Sequence, residues 1–245
     1  MTDKKRPYRK TRRAELEEAT RRRITESAVS LHATLGPART SLSAIAAHAG
    51  VRRSTLYRHF ADEAAVFEAC TAHWMAANPV PDIGRWAAIA DPDERARVAL
   101  NELYPYYRRT EQMLTNLFRD EQTMPLVAQL FAGFRRYLAG AHDILMSGRE
   151  LRGATRLQVS AATGHAIAFT TWKSLAIEQG LDDRQVADLM CRLIHASALR
   201  QTLATEPAEA TTVTTSMVTL ANAADRPPAS RRRGGVAASS APEGG

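Results

Sequence analysis

Two cysteines in 245 residues, Cys70 and Cys191, each set inside an apolar helical pattern, leave no disulfide framework and no thiolate metal site. No apolar run is long enough to span a bilayer, and the N-terminal segment lacks the apolar core of a signal peptide, so a cytoplasmic protein is expected. Alternating apolar and polar runs of strand length are also missing. The fold class this leaves is all-α. Catalysis finds no purchase either: there is no G-x-S-x-G elbow, no GxxxxGK[ST] phosphate loop, no GxGxxG and no H-E-x-x-H. The seven histidines, at 32, 48, 59, 73, 142, 165 and 195, place no two on adjacent turns of one helix. An enzyme is therefore the weaker alternative, and no cofactor or metal is expected.

What the sequence does have is positive charge in one place. Residues 1–60 carry 14 Lys and Arg against 5 Asp and Glu, while the remainder is slightly acidic at 19 against 21. A basic head on a mildly acidic body suits contact with a polyanion through one end only, most simply double-stranded DNA.

The head reads as three helices. Ile24, Ala28, Leu31 and Leu35 step by four, three and four along a helix from about Glu15, which Gly36 and Pro37 stop. A short second helix opens at Ser41, whose hydroxyl can cap free amides, and carries Leu42, Ile45, Ala46 and Ala49 up to Gly50. After the Gly50–Val51 turn, a third helix from about Arg52 to His59 is anchored by Leu56 and Phe60. This is a helix-turn-helix, whose last helix can enter the major groove. Its first residues, Arg52, Arg53 and Thr55, suit base edges: an arginine fork fits guanine, and threonine offers a hydroxyl and a methyl. Tyr57, Arg58 and His59 lie toward phosphates, and Ser41 joins them as a candidate contact. Arg39 and His48 read as ordinary surface groups.

The stretch "TSLSAIAAHAGVRRSTLYRHFADEAAVFEA" resembles the DNA-binding domain of TetR/AcrR-family bacterial transcriptional regulators. The resemblance implies phosphate contacts from Tyr57 and His59 and a core position for Phe60. The third helix departs from the family pattern at its start, with Arg52-Arg53-Ser54 where a serine or threonine followed by a basic residue is usual. It further implies that a fourth helix, capped by Asp62 and carrying Phe67, Cys70 and Trp74, relays movement of the body to the head. The expected organisation is a disordered basic arm over 1–13, a DNA-binding domain over 14–80, a ligand-binding and dimerisation domain over 85–203 and a disordered tail over 206–245. Arg231 to Arg233 in that tail read as a solvated cluster.

The body pattern predicts helices at Asp93 to Arg109, Gln112 to Asp120, Leu126 to Met146, Arg156 to Gln179 and Asp183 to Leu203, with a kink or break at Pro105. The last two carry wide apolar stripes: Val159, Ala162 and Ala166 on one, and Val186, Leu189, Met190, Leu193, Ile194 and Ser197 on the other. They form the candidate interface of a homodimer, the arrangement the family also implies, and a twofold dimer suits two operator half-sites. The family implies an effector pocket as well. Candidate lining residues are Leu103, Tyr104, Tyr107, Met113, Leu117 and Phe118, with Phe131, Phe134, Tyr137, Phe169 and Trp172, although spacing alone suits a filled interior equally. The sequence reading is a repressor that binds a palindromic operator as a dimer and is released by a small hydrophobic ligand. A DNA-binding protein without a ligand is the alternative.

Overall fold

In the computed structural model the described backbone covers residues 5–203, and the described side chains lie within 11–199. Ten α-helices follow in order: α1 (Lys5–Thr34), α2 (Leu42–His48), α3 (Arg53–His59), α4 (Glu63–Ala77), α5 (Ile83–Ala87), α6 (Pro92–Asp120), α7 (Pro125–Met146), α8 (Gly153–Ala166), α9 (Phe169–Lys173) and α10 (Asp183–Leu203). No strand occurs among the described residues. Nor is any helix long and apolar enough to cross a membrane. The segment 206–245, expected to be disordered, lies outside the described residues.

The apolar side chains form two clusters. Ile24, Ala28, Ile45, Leu56, Phe60 and Val66 close the first around α1 to α4. The second gathers Trp86, the buried face of α6, and the inner faces of α7, α8 and α10.

Four expectations change. Residues 5–13 are the opening turns of α1 and not a disordered arm. Pro7 falls in the first turn, where a missing N–H breaks no helical bond, and the packed remainder of α1 provides the nucleus. The connection after Asn78, whose prolines and glycine read in sequence as a linker at the domain boundary, contains α5, whose Trp86 is fully buried and donates Nε1–H to Glu102 at 2.9 Å. Helix α6 runs unbroken through Pro105 and through residues 110–111. Pro105 and Asn101 are exposed, so water can take the carbonyl that proline leaves without a donor, while buried Leu103, Tyr104, Tyr106 and Tyr107 hold the helix on its course. Finally, the single helix expected over 156–179 is divided after Ala166, and its last turn, Ser174–Glu178, is a π-helix. The hydroxyls of Tyr104 and Tyr107 donate to the carbonyls of Ala166 and Ile167 at 2.8 and 2.5 Å, taking acceptors that a continuous helix would use itself.

Candidate DNA-reading head and effector cavity

The recognition helix α3 is short and cannot hold itself. Its anchors are Leu56 and Phe60, both fully buried. Its entry is set by Gly50 at φ +64°, where Val51 N–H donates to Ala46 O at 2.9 Å and so closes α2 in a conformation that favours glycine. Its exit is held from α1: Arg21 donates to His59 O at 2.8 Å and lies 4.4 Å over the Phe60 ring. Arg21 was not singled out in the sequence, because one arginine among three in a row carries no local signal.

On the outer side Arg52, Arg53 and Arg58 are exposed, and among the described residues none of them has a carboxylate partner. Arg53 Nη2 donates to Tyr57 Oη at 3.1 Å across one turn, so the expected base reader and the expected phosphate contact form one unit. Thr55 and His59 are half-buried, and His59 Nε2 is covered without a hydrogen-bond partner. Ser41 is exposed and accepts the Ala44 N–H at 3.1 Å, the cap that its position suggested.

Beneath the head lies a cavity of about 290 Å³. Of the expected lining residues, Met113, Leu117, Phe131, Phe134 and Tyr137 reach it. Leu103, Tyr104, Tyr107, Phe118, Phe169 and Trp172 do not, and they fill the body core instead. Trp172 donates Nε1–H to Asp183 at 2.9 Å, the two tyrosine hydroxyls are taken by the carbonyls of Ala166 and Ile167 at the end of α8, and Phe118 stacks on Phe169 at 5.3 Å. Tyr106, Leu114, Val127 and Leu130 add to the α6 and α7 side, and the opposite wall comes from the head: Val29 and His32 of α1, and Phe67, Cys70 and Trp74 of α4. Those residues looked like ordinary helix-packing positions in sequence, and only the tertiary fold brings them opposite α6 and α7.

A polar latch fastens α1 to α6 beside this cavity. Asn116 donates from Nδ2 to His32 O and Ala33 O at 3.1 and 2.6 Å, and Arg119 donates to Leu35 O at 3.0 Å. Ala33 O and Leu35 O are carbonyls left open at the C-terminal end of α1, whereas His32 O also accepts the Gly36 N–H at 3.1 Å. Asp120 accepts the Ala38 N–H at 2.9 Å. Burial works against its charge, yet hydrogen bonds from Arg119 and Ala38 hold its carboxyl below the ordinary range.

The expected dimer stripe is divided by burial. Val159, Ala162, Ala166, Val186, Met190 and Ile194 lie inside the chain, where α8 and α10 pack on each other, so they cannot also form an outer surface. Leu193 is exposed, and Leu189 and Ser197 are half-buried. Leu157 and Leu199 are exposed on the same two helices. Among the described residues no group of His, Cys, Asp or Glu could hold a metal ion.

Residues 24–70 match the sequence model of the family described as bacterial regulatory proteins, tetR family. No curated protein matches the chain. Among solved structures, a TetR-like transcriptional regulator from Rhodococcus sp. RHA1 is 18% identical with a TM-score of 0.53, covering 76% of this chain and 97% of that one. AibR, in complex with isovaleryl coenzyme A and operator DNA, is 21% identical with a TM-score of 0.53, covering 70% and 96%. The TetR-family regulator PfmR from Thermus thermophilus is 20% identical with a TM-score of 0.50, covering 70% and 96%. At these identities the likeness is one of fold. The family model thus covers residues 24–70, and the fold of the described chain is similar to that of solved tetR-family regulators.

Proposed function

We propose that the chain is a repressor that binds a palindromic operator as a homodimer and leaves it when a small hydrophobic molecule enters the cavity. The observation that carries this reading is the shared wall: α1 and α4, which position the recognition helix, face α6 and α7 across one apolar space. A ligand there meets both halves at once, and its differential affinity for two head positions is what would shift DNA binding. AibR, solved with a ligand and operator DNA together, is a precedent for the pairing of these two partners. Arg52, Arg53, Tyr57, Arg58, Thr55 and His59 are the DNA contacts, and Ser41 acts as a helix cap at the same surface. The second subunit packs on the outward residues of α8 and α10, with Leu157, Leu189, Leu193 and Leu199 as its apolar contacts.

The decisive experiment is a gel shift of the gene's own upstream DNA against scrambled competitor. Sequence-selective retention supports the reading, and equal competition by scrambled DNA overturns it.

A further inference from the structure

We infer that the cavity selects an uncharged, ring-bearing effector with a hydroxyl or carbonyl as its polar group, and rejects carboxylates and ammonium compounds of the same shape. This rests on the reading above that the cavity holds the effector.

The wall contains no Lys, Arg, Asp or Glu. Six aromatic rings face the space, from Phe67, Trp74, Tyr106, Phe131, Phe134 and Tyr137. Its one residue able to carry charge near neutrality is His32, and burial pushes that imidazole down to about 4, against the pull of Asp120. The local bonds agree with a neutral ring. The Cys70 thiol donates to Phe67 O at 3.2 Å, which leaves its sulfur to accept from His32 Nδ1 at 3.5 Å. Nε2 is then the unprotonated nitrogen, and it is buried with no hydrogen-bond partner. Tyr137 Oη is also buried without one. Two unmet polar atoms on residues of a largely apolar wall suit a ligand with one neutral polar group, and neither offers a counter-charge to an ionised one.

Two cations beside the wall do not alter this. Arg109 lies outside, donating to Pro79 O at 3.1 Å and covering the Tyr106 ring at 4.9 Å. Arg135 covers Phe131 at 5.8 Å and is paired with Glu121. Two of the six rings therefore already present a face to a guanidinium, which disfavours a cationic guest.

The test uses the full chain and three molecules of one ring system: 2-naphthol, 2-naphthoate and 2-naphthylmethylammonium, titrated calorimetrically at pH 7.5. Naphthol is expected to bind, with the two ions at least a hundredfold weaker. Leu117→Arg, which puts a cation into the wall, should weaken naphthol and bring naphthoate above it. Leu130→Arg serves the same purpose if the first variant does not fold. Naphthoate or the ammonium binding wild type as well as naphthol overturns the inference, as does failure of all three to bind the folded protein; in either case selective operator binding can still stand. Naphthol binding without any effect on operator affinity leaves the inference standing and instead overturns release by ligand.

Discussion

Arg53 and Tyr57 illustrate how a pair of side chains can confound a single-residue reading. In the proposed complex the hydroxyl that accepts from Arg53 Nη2 is also a phosphate contact. Tyr57→Phe should therefore weaken binding to all sequences and also loosen preference at the base pair that Arg53 reads, whereas Arg53→Ala should relax that one position alone. A binding-site selection with both variants checks this, and an unaltered consensus with Arg53→Ala removes Arg53 from base reading. His32 gives a second prediction. Its folded value of about 4 lies below the ordinary 6.5, so the unfolded chain takes up the proton first as pH falls. Stability from this group is intact above about 6.5, declines through the window below it, and by pH 5 is lower by about 2 kcal/mol. Urea unfolding at pH 7.5 and 5.0 should show that loss in the wild type and a smaller one in His32→Phe. Of these residues, Tyr57 and the arginines were legible from their place after a turn. Arg21 and the pairing within α3 were not, since both depend on contacts made across space.

Helices were legible where period and caps agreed. Asp62, Asp91 and Ser41 cap the helices they precede, each accepting a backbone N–H three residues on. The errors fell where tertiary packing outweighs a local rule: the unbroken α6 at Pro105, and the division after Ala166 made by two tyrosines from another helix. The α1–α6 latch belongs to the same class. Gly36 stands in it at φ +91°, and a Cβ there would collide with Arg119 Nη2 and lie 2.6 Å from Asp120 Oδ2. Arg119 can swing away, but Asp120 is buried and bonded. Gly36→Ala is expected to cost about 2 kcal/mol or more in denaturant unfolding, with the left-handed backbone and the displaced carboxylate both contributing. On α10, Leu193→Glu should give a monomer by light scattering and weak half-site binding, because a carboxylate would enter an apolar contact unpaired. A dimer that persists at micromolar concentration would move the interface away from this face.

For the whole molecule, the charge division was plain in the residue counts and the helical class in the apolar periodicity, whereas the cavity could not be read. Its wall draws on helices whose residues are a hundred positions apart, and apolar spacing is the same for a lining residue and a filled core. Deleting residues 2–13 should leave the operator consensus unchanged and flatten the salt dependence, each lost phosphate contact removing roughly 0.9 from the slope of log K against log salt. Equal slopes would place the arm off the DNA. The continuity of α1 has a mechanical side. One continuous helix carries the basic N-terminal turns at one end, the Arg21 clamp on the recognition helix along its length, and His32 on the cavity wall at the other. Treated as a rigid rod pivoting at the buried Ile24, it would act as a lever. At 1.5 Å per residue the long limb to Lys5 is roughly 28 Å, so a tilt of about 5° carries its tip through roughly 2.5 Å. The short limb moves less than half as far. A displacement at the cavity too small to open a visible gap would thus be magnified at the N-terminal end, and in a twofold dimer it would be applied to two half-sites at once.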